Sequence, residues 1–284
     1  MQQFFLLLWG TVCLRPYVFA FLGAYFLLAT LHLGAGRALL FLVSGYLVGW
    51  GMELSSIHTG FPFGLYYYIP ATRGLELWVA GVPFMDSLSY VFLAYASYTL
   101  ALLALGPEGR AGWDYPAEER RLVLSWRPTL LGAVFMMTLD VVIDPVALRG
   151  YRWFLGQIYG YPEPGFYFGV PVANFAGWLL VAGILIRLLQ LISGYVPARG
   201  GWGWGRRAFP GRALLGPGLY LGILGFNLAV TFWLEEYTLL LAGVFIYLPL
   251  LTWLVLRVFR RTGEGGGQGP PAPAPSPPPP PPTL

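Results

Sequence analysis

The sequence predicts an all-α membrane protein: about seven transmembrane helices, a short N-terminal interfacial or re-entrant helix ahead of them, and a disordered Pro-rich tail. Three observations carry this. Of the 284 residues, 57% are hydrophobic and only 11% charged, whereas a soluble domain typically carries about 25% charged residues. Apolar runs near the ~20 residues that cross a bilayer recur along the chain. The arginines fall on alternate connections between those runs.

The first apolar stretch, Phe4 to Leu31, is broken by Arg15-Pro16. Its first part, ending at Leu14, is too short to cross and is the expected interfacial or re-entrant helix. Crossings are then expected over Pro16–Leu31, Ala38–Ile57, Leu77–Leu105, Pro128–Leu148, Gly169–Ile186, Ala213–Leu234 and Tyr237–Leu256. The third exceeds what a bilayer requires and should tilt or project. Residues 1–262 thus form the membrane domain. Residues 263–284, glycine and then proline at high density, cannot build a core and should sample polyproline II. The N-terminus lacks the charged, apolar and small-residue sections of a cleaved signal, so targeting is expected through the first membrane helix.

One set of connections holds Arg37, Arg110, Arg120, Arg121, Arg127, Arg199, Arg206, Arg207, Arg212, Arg257, Arg260 and Arg261. The other holds only Arg15, Arg73, Arg149 and Arg152. The richer set is expected to be cytoplasmic, with the C-terminus inside.

Composition excludes several chemistries. All 17 basic residues are arginine, so no Schiff base to retinal or pyridoxal phosphate can form. One cysteine, Cys13, forbids an internal disulfide, and two histidines, His32 and His58, make a histidine-rich metal centre a poor fit. No cofactor, metal or nucleic-acid partner is expected; membrane lipid is.

Asp140 and Asp144 lie i, i+4 on one helix face inside an apolar span. Each carboxylate at that depth costs on the order of 2.5–3.5 kcal/mol on insertion scales, which points to a protein interior and often to function. A helix–helix hydrogen bond is the plainer alternative. Tracing the orientation gathers Glu53, Ser55, Ser56, His58 and Thr59, then Asp86, Ser87 and Tyr90, then Asp140 and Asp144, then Asn174 and Trp178 in one outer leaflet. Glu235-Glu236 are expected in a short solvated turn, and the cytoplasmic halves read as almost purely apolar. Two aromatic, Gly/Pro-rich loops, His58–Pro70 and Tyr159–Pro171, lie above the carboxylates as a lid, or as π faces for a cation. Interfacial tyrosine enrichment accounts for part of that pattern.

Glu53-Leu-Ser-Ser-Ile-His-Thr-Gly-Phe-Pro-Phe-Gly-Leu-Tyr-Tyr-Tyr68, the Asp140-to-Pro145 stretch with Trp153 after it, and Gly169-Val-Pro-Val-Ala-Asn-Phe-Ala-Gly-Trp178 together resemble the CruF-type carotenoid 1,2-hydratases. The resemblance covers roughly residues 15–260, without the tail. It implies an integral protein of a bacterial or archaeal cytoplasmic membrane. It further implies cofactor-independent hydration of the terminal double bond of an acyclic, γ-carotene- or lycopene-like end group to a tertiary alcohol, and other carotenoid-pathway enzymes as possible partners. Protonating a trisubstituted alkene needs a strong acid, and the tertiary cation must be shielded until water arrives. An i, i+4 carboxyl pair offers one acid and one anion. Asp144 or Asp140 is then the expected proton donor, with Glu53 and Asp86 next for water activation. His58, Phe61, Phe63, Tyr66, Tyr67, Trp153, Tyr167, Asn174 and Trp178 are the expected substrate-binding side chains.

Two other readings compete. Asp140-x-x-x-Asp144 looks like half a magnesium–diphosphate site of an intramembrane prenyltransferase, although a second acidic cluster is missing from the sequence. A transporter or lipid-binding scaffold would use the carboxylates as a proton relay.

Overall fold

The structure, a computed structural model, describes residues 2–106, 120–196 and 212–263. The expected tail lies outside these residues from position 264 onward, as do Arg110, Arg199, Arg206 and Arg207 of the charge argument.

Helix α1 spans Gln2–Leu14 and α2 Pro16–Leu33. Pro16 opens α2 at a position where its missing N–H costs nothing. Gly34, at φ 91°, separates α2 from α3 (Ala35–Thr59), and Gly60 ends α3 in the left-handed conformation favoured by glycine. A loop follows with strands β1 (Tyr67–Tyr68), β2 (Trp78–Val79) and β3 (Val82–Pro83). Then come α4 (Phe84–Leu105), α5 (Arg120–Val123), α6 (Trp126–Ala147), β4 (Tyr159–Gly160), α7 (Val172–Tyr195), α8 (Arg212–Trp233) and α9 (Tyr237–Gly263).

Seven of these helices are long and apolar enough to cross a membrane. The expected third crossing starts seven residues late. Residues 78–83 fold into the β2–β3 hairpin, because Gly81 turns the chain and Pro83 precedes the helix instead of extending it. The fifth crossing runs on to Tyr195, so Arg187 lies inside α7.

Helix α4 is the pillar of the bundle: its apolar window is 89% buried, against 22% for α2 and for α9. Around it pack α2, α3, α6, α7 and α8. The two aromatic loops meet at one end of the bundle, where Tyr67 pairs with Gly160 and Tyr68 with Tyr159 in an antiparallel ladder. At that loop end a buried ion pair, Arg15 Nη2 to Glu76 Oε1 at 3.2 Å, joins the α1–α2 junction to the β2 approach. Arg15 also donates to Leu155 O, and Thr72 donates to Glu76. Glu236 is not simply solvated in its turn. It pairs with Arg149 at 3.0 Å and with Arg152, tying the α6–α7 connection to the start of α9.

The opposite half is not purely apolar, contrary to expectation. Thr129, Gln190 and Arg187 form a buried polar cluster between α6 and α7, and the hydroxyls of Tyr220 and Tyr247 meet at 2.8 Å between α8 and α9.

Candidate active site

The site lies under the loop ladder, where α3, α4, α6 and α7 converge. Two close approaches place its aromatic wall. A side chain at Gly49 would stand 2.9 Å from the Tyr90 ring, and one at Gly177 would stand 2.6 Å from Phe63. Glycine at both positions therefore lets α3 and the loop press onto α4 and α7. Phe63 N donates to Ser56 Oγ at 2.8 Å, fixing the loop. Trp178 stacks on Tyr90 with centroids 4.7 Å apart, and Phe63 closes against both rings.

The four expected carboxylates are brought together in two pairs. Glu53 and Asp86 form one; Glu53 is buried and accepts from Ser87 Oγ at 2.6 Å, with the hydroxyls of Tyr68 and Tyr90 nearby. Asp140 and Asp144 form the other. Asn174 Nδ2 donates to Asp140 Oδ2 at 2.9 Å and to Asp144 Oδ2 at 2.7 Å, so one amide of α7 clamps the pair. Asp144 also accepts from Tyr159 at 2.6 Å and from Tyr161 at 3.0 Å. Asp140 Oδ1 is buried without a hydrogen-bond partner among the described residues.

Burial and the neighbouring Asp144 charge hold the phenols of Tyr159 and Tyr161 well above their ordinary range. Burial does the same for Tyr66, with Glu53 next in weight, and for Tyr68, with Asp86 next. These four phenols therefore serve as hydrogen-bond donors, not as bases.

Two cavities adjoin the carboxylates. The first, about 120 Å³, is mainly apolar and lies between α2, α4, α6 and α8; Tyr17, Phe21, Trp153, Phe226 and Asp140 are among its walls. The second, about 60 Å³, is polar and lies beneath the loop ladder, with Glu53, Tyr66, Tyr68 and Asn174 around it. Asp86, Ser89, Asp144, Tyr159 and Trp178 border both.

Of the expected binding residues, Phe63, Tyr66, Trp153, Asn174 and Trp178 line these cavities. His58, in the last turn of α3, and Phe61 and Tyr67 of the loop are exposed and line neither. Tyr167 packs on Phe168 and Phe175, also away from the cavities. Sequence reasoning missed Asn227 of α8, whose Nδ2 donates to Ile223 O at 2.9 Å and which borders the apolar cavity. A lone amide inside an apolar span was the available signal. It also passed over the hydroxyls of Tyr159 and Tyr161, which only the fold aims at Asp144.

A model of proteins described as carotenoid biosynthesis proteins matches residues 5–249. Bisanhydrobacterioruberin hydratase of Haloarcula japonica is 32% identical over 157 residues, 54% of this chain and 45% of that protein. The match thus spans less than half the length of this curated relative. No solved structure matches. The match to the family model covers the first six apolar helices, the first half of the seventh and both carboxylate pairs, and the chain belongs to the carotenoid biosynthesis protein family.

Proposed function

We propose that this integral membrane protein adds water across the terminal double bond of an acyclic carotenoid end group, giving a tertiary alcohol without a cofactor. The observation that carries the reading is the unequal environment of the two aspartates. Asp144 accepts from three donors through both oxygens, the pattern of a carboxylate. Asp140 keeps one buried oxygen free, and it borders the apolar cavity. Asp140 is therefore the proton donor and Asp144 the anion facing the developing cation.

The reaction protonates the less substituted alkene carbon and leaves a tertiary cation at the dimethyl carbon. The aromatic rings of Trp153 and Trp178 line the same cavity, and aromatic neighbours favour that charge. The apolar cavity of about 120 Å³ falls below the ~300–1,000 Å³ of sites that enclose a whole drug-sized ligand. It suits the end group of a polyene whose remainder lies elsewhere in the protein or lipid. The named activity of the Haloarcula japonica relative, a hydratase, is in line with this chemistry. The arginine distribution supports a C-terminus in the cytoplasm and a site in the outer half of the membrane.

The donors around the aspartates speak against a magnesium–diphosphate site, since Asn174 and two phenols already direct hydrogens at the oxygens a cation would need. The test is expression in a host that accumulates lycopene or γ-carotene, followed by chromatography and mass spectrometry. Carotenoids heavier by one water are expected. An unchanged pigment profile, with the protein folded in the membrane, would sink the reading.

A further inference from the structure

Hydration needs two substrates, and the two cavities differ as the two substrates do. The apolar cavity reaches Asp140 but not Glu53; the polar one reaches Glu53 but not Asp140. At about 60 Å³ the polar cavity is too small for an isoprenoid. A water needs roughly 10–15 Å³ of such space and two to four polar partners, so it accommodates about four to six waters. Polar partners line its walls: the carboxylates of Glu53, Asp86 and Asp144, and the hydroxyls of Tyr66 and Tyr68, which stand 3.4 Å apart. Tyr68 and Tyr161 are half-buried, so this wall reaches toward the bundle surface at the loop end.

We infer that the polar cavity is the binding site for the co-substrate water, held apart from the alkene until the cation forms. The inference rests on the hydration reading above. Asp86 and Asp144 stand at the partition because both border both cavities. The steps balance. The O–H bond of Asp140 breaks as a C–H bond forms at the less substituted alkene carbon. A water from the polar cavity forms the C–O bond at the cationic carbon and gives a proton to Asp144. Return of that proton from Asp144 to Asp140, through a second water, restores the start. If water is withheld, the cation ends as a hydrocarbon by losing a proton, either directly or after closing a ring onto the next double bond. Direct loss returns the alkene or shifts its double bond to a methyl carbon.

That branch makes the inference testable by the ratio of two products. Membranes carrying the full-length protein and lycopene are incubated in deuterium oxide. Alcohol and deuterium in the recovered hydrocarbon are then both measured by mass spectrometry. Two variants change residues that line the polar cavity and not the apolar one: Glu53→Leu, which removes a carboxylate from its wall, and Tyr68→Phe, which keeps its shape. In both, the ratio of alcohol to deuterated hydrocarbon is expected to fall about tenfold or more, the scale of one lost hydrogen bond in a barrier. Deuterium uptake should persist. A parallel fall of both products, or an unchanged ratio in the well-folded Tyr68→Phe protein, overturns the water site and leaves the hydratase reading standing. Wild-type protein that yields neither product overturns the hydratase reading itself.

Discussion

Two buried polar clusters between α6 and α7 are built from similar parts to opposite effect. In the half away from the loops, Gln190 Oε1 accepts from Thr129 at 2.8 Å and from Arg187 at 3.1 Å, while its Nε2 donates to Ser125 O at 3.0 Å. Arg187 also donates to Leu124 O at 2.8 Å and lies over the Trp126 ring. Every polar end of the glutamine is spent on protein, so the cluster staples α6 to α7. Toward the loop end, Asn174 clamps the same two helices through Asp140 and Asp144, but one carboxyl oxygen is left over and a cavity lies beside it. An unsatisfied group in a low-dielectric interior is costly unless it has work to do. A closed network marks architecture; an open one beside a cavity marks chemistry.

The comparison breaks most directly at Asp140. Asp140→Asn keeps the shape and the bond to Asn174 but removes the acid, so hydrated carotenoid is expected to drop by about 10²–10⁴-fold, the range of a lost general acid. Folded protein should remain, measured as monodisperse protein in detergent. Full turnover would place the proton elsewhere.

Asn174→Leu comes next. It frees both aspartates from their clamp, and a misplacement of roughly an ångström can cost about 10²-fold. The expected change is in turnover per molecule, read by product formation at saturating substrate. Gln190→Leu is the counterpart in the closed cluster. It should leave turnover per folded molecule unchanged while lowering unfolding stability by roughly 1–3 kcal/mol, through stranded partners at Thr129 and Arg187. Thermal unfolding in detergent checks it, and a matching loss of turnover would erase the distinction between the clusters. The smallest effect is expected at His58, which is exposed and borders neither cavity. His58→Ala should change product yield by less than about twofold, the scale of an ordinary surface substitution.

Much of the fold was legible because span-length hydropathy is a local property of the chain. The break at Arg15-Pro16 could be read directly, and the short helix at Gln2–Leu14 follows from a run too short to cross. The start of α4 was misread because Leu77–Val82 is as apolar as a helix; only pairing of Trp78 with Pro83 makes it a hairpin. The four carboxylates could be singled out because each is expensive in an apolar span. Their partners could not. Tyr159 and Tyr161 read only as members of an aromatic loop, and Asn227 went unread, whereas the bundle places them at Asp144 and at the apolar cavity.

The sequence by itself determined a seven-helix membrane protein with carboxylates gathered toward one end, because bilayer length, charge cost and i, i+4 geometry act along a single segment. The tertiary structure alone decided which aspartate is saturated, which keeps a free oxygen, and that two cavities meet there. Those features depend on side chains from α2, α3, α4, α6, α7, α8 and both loops, distant in the chain and joined only by packing.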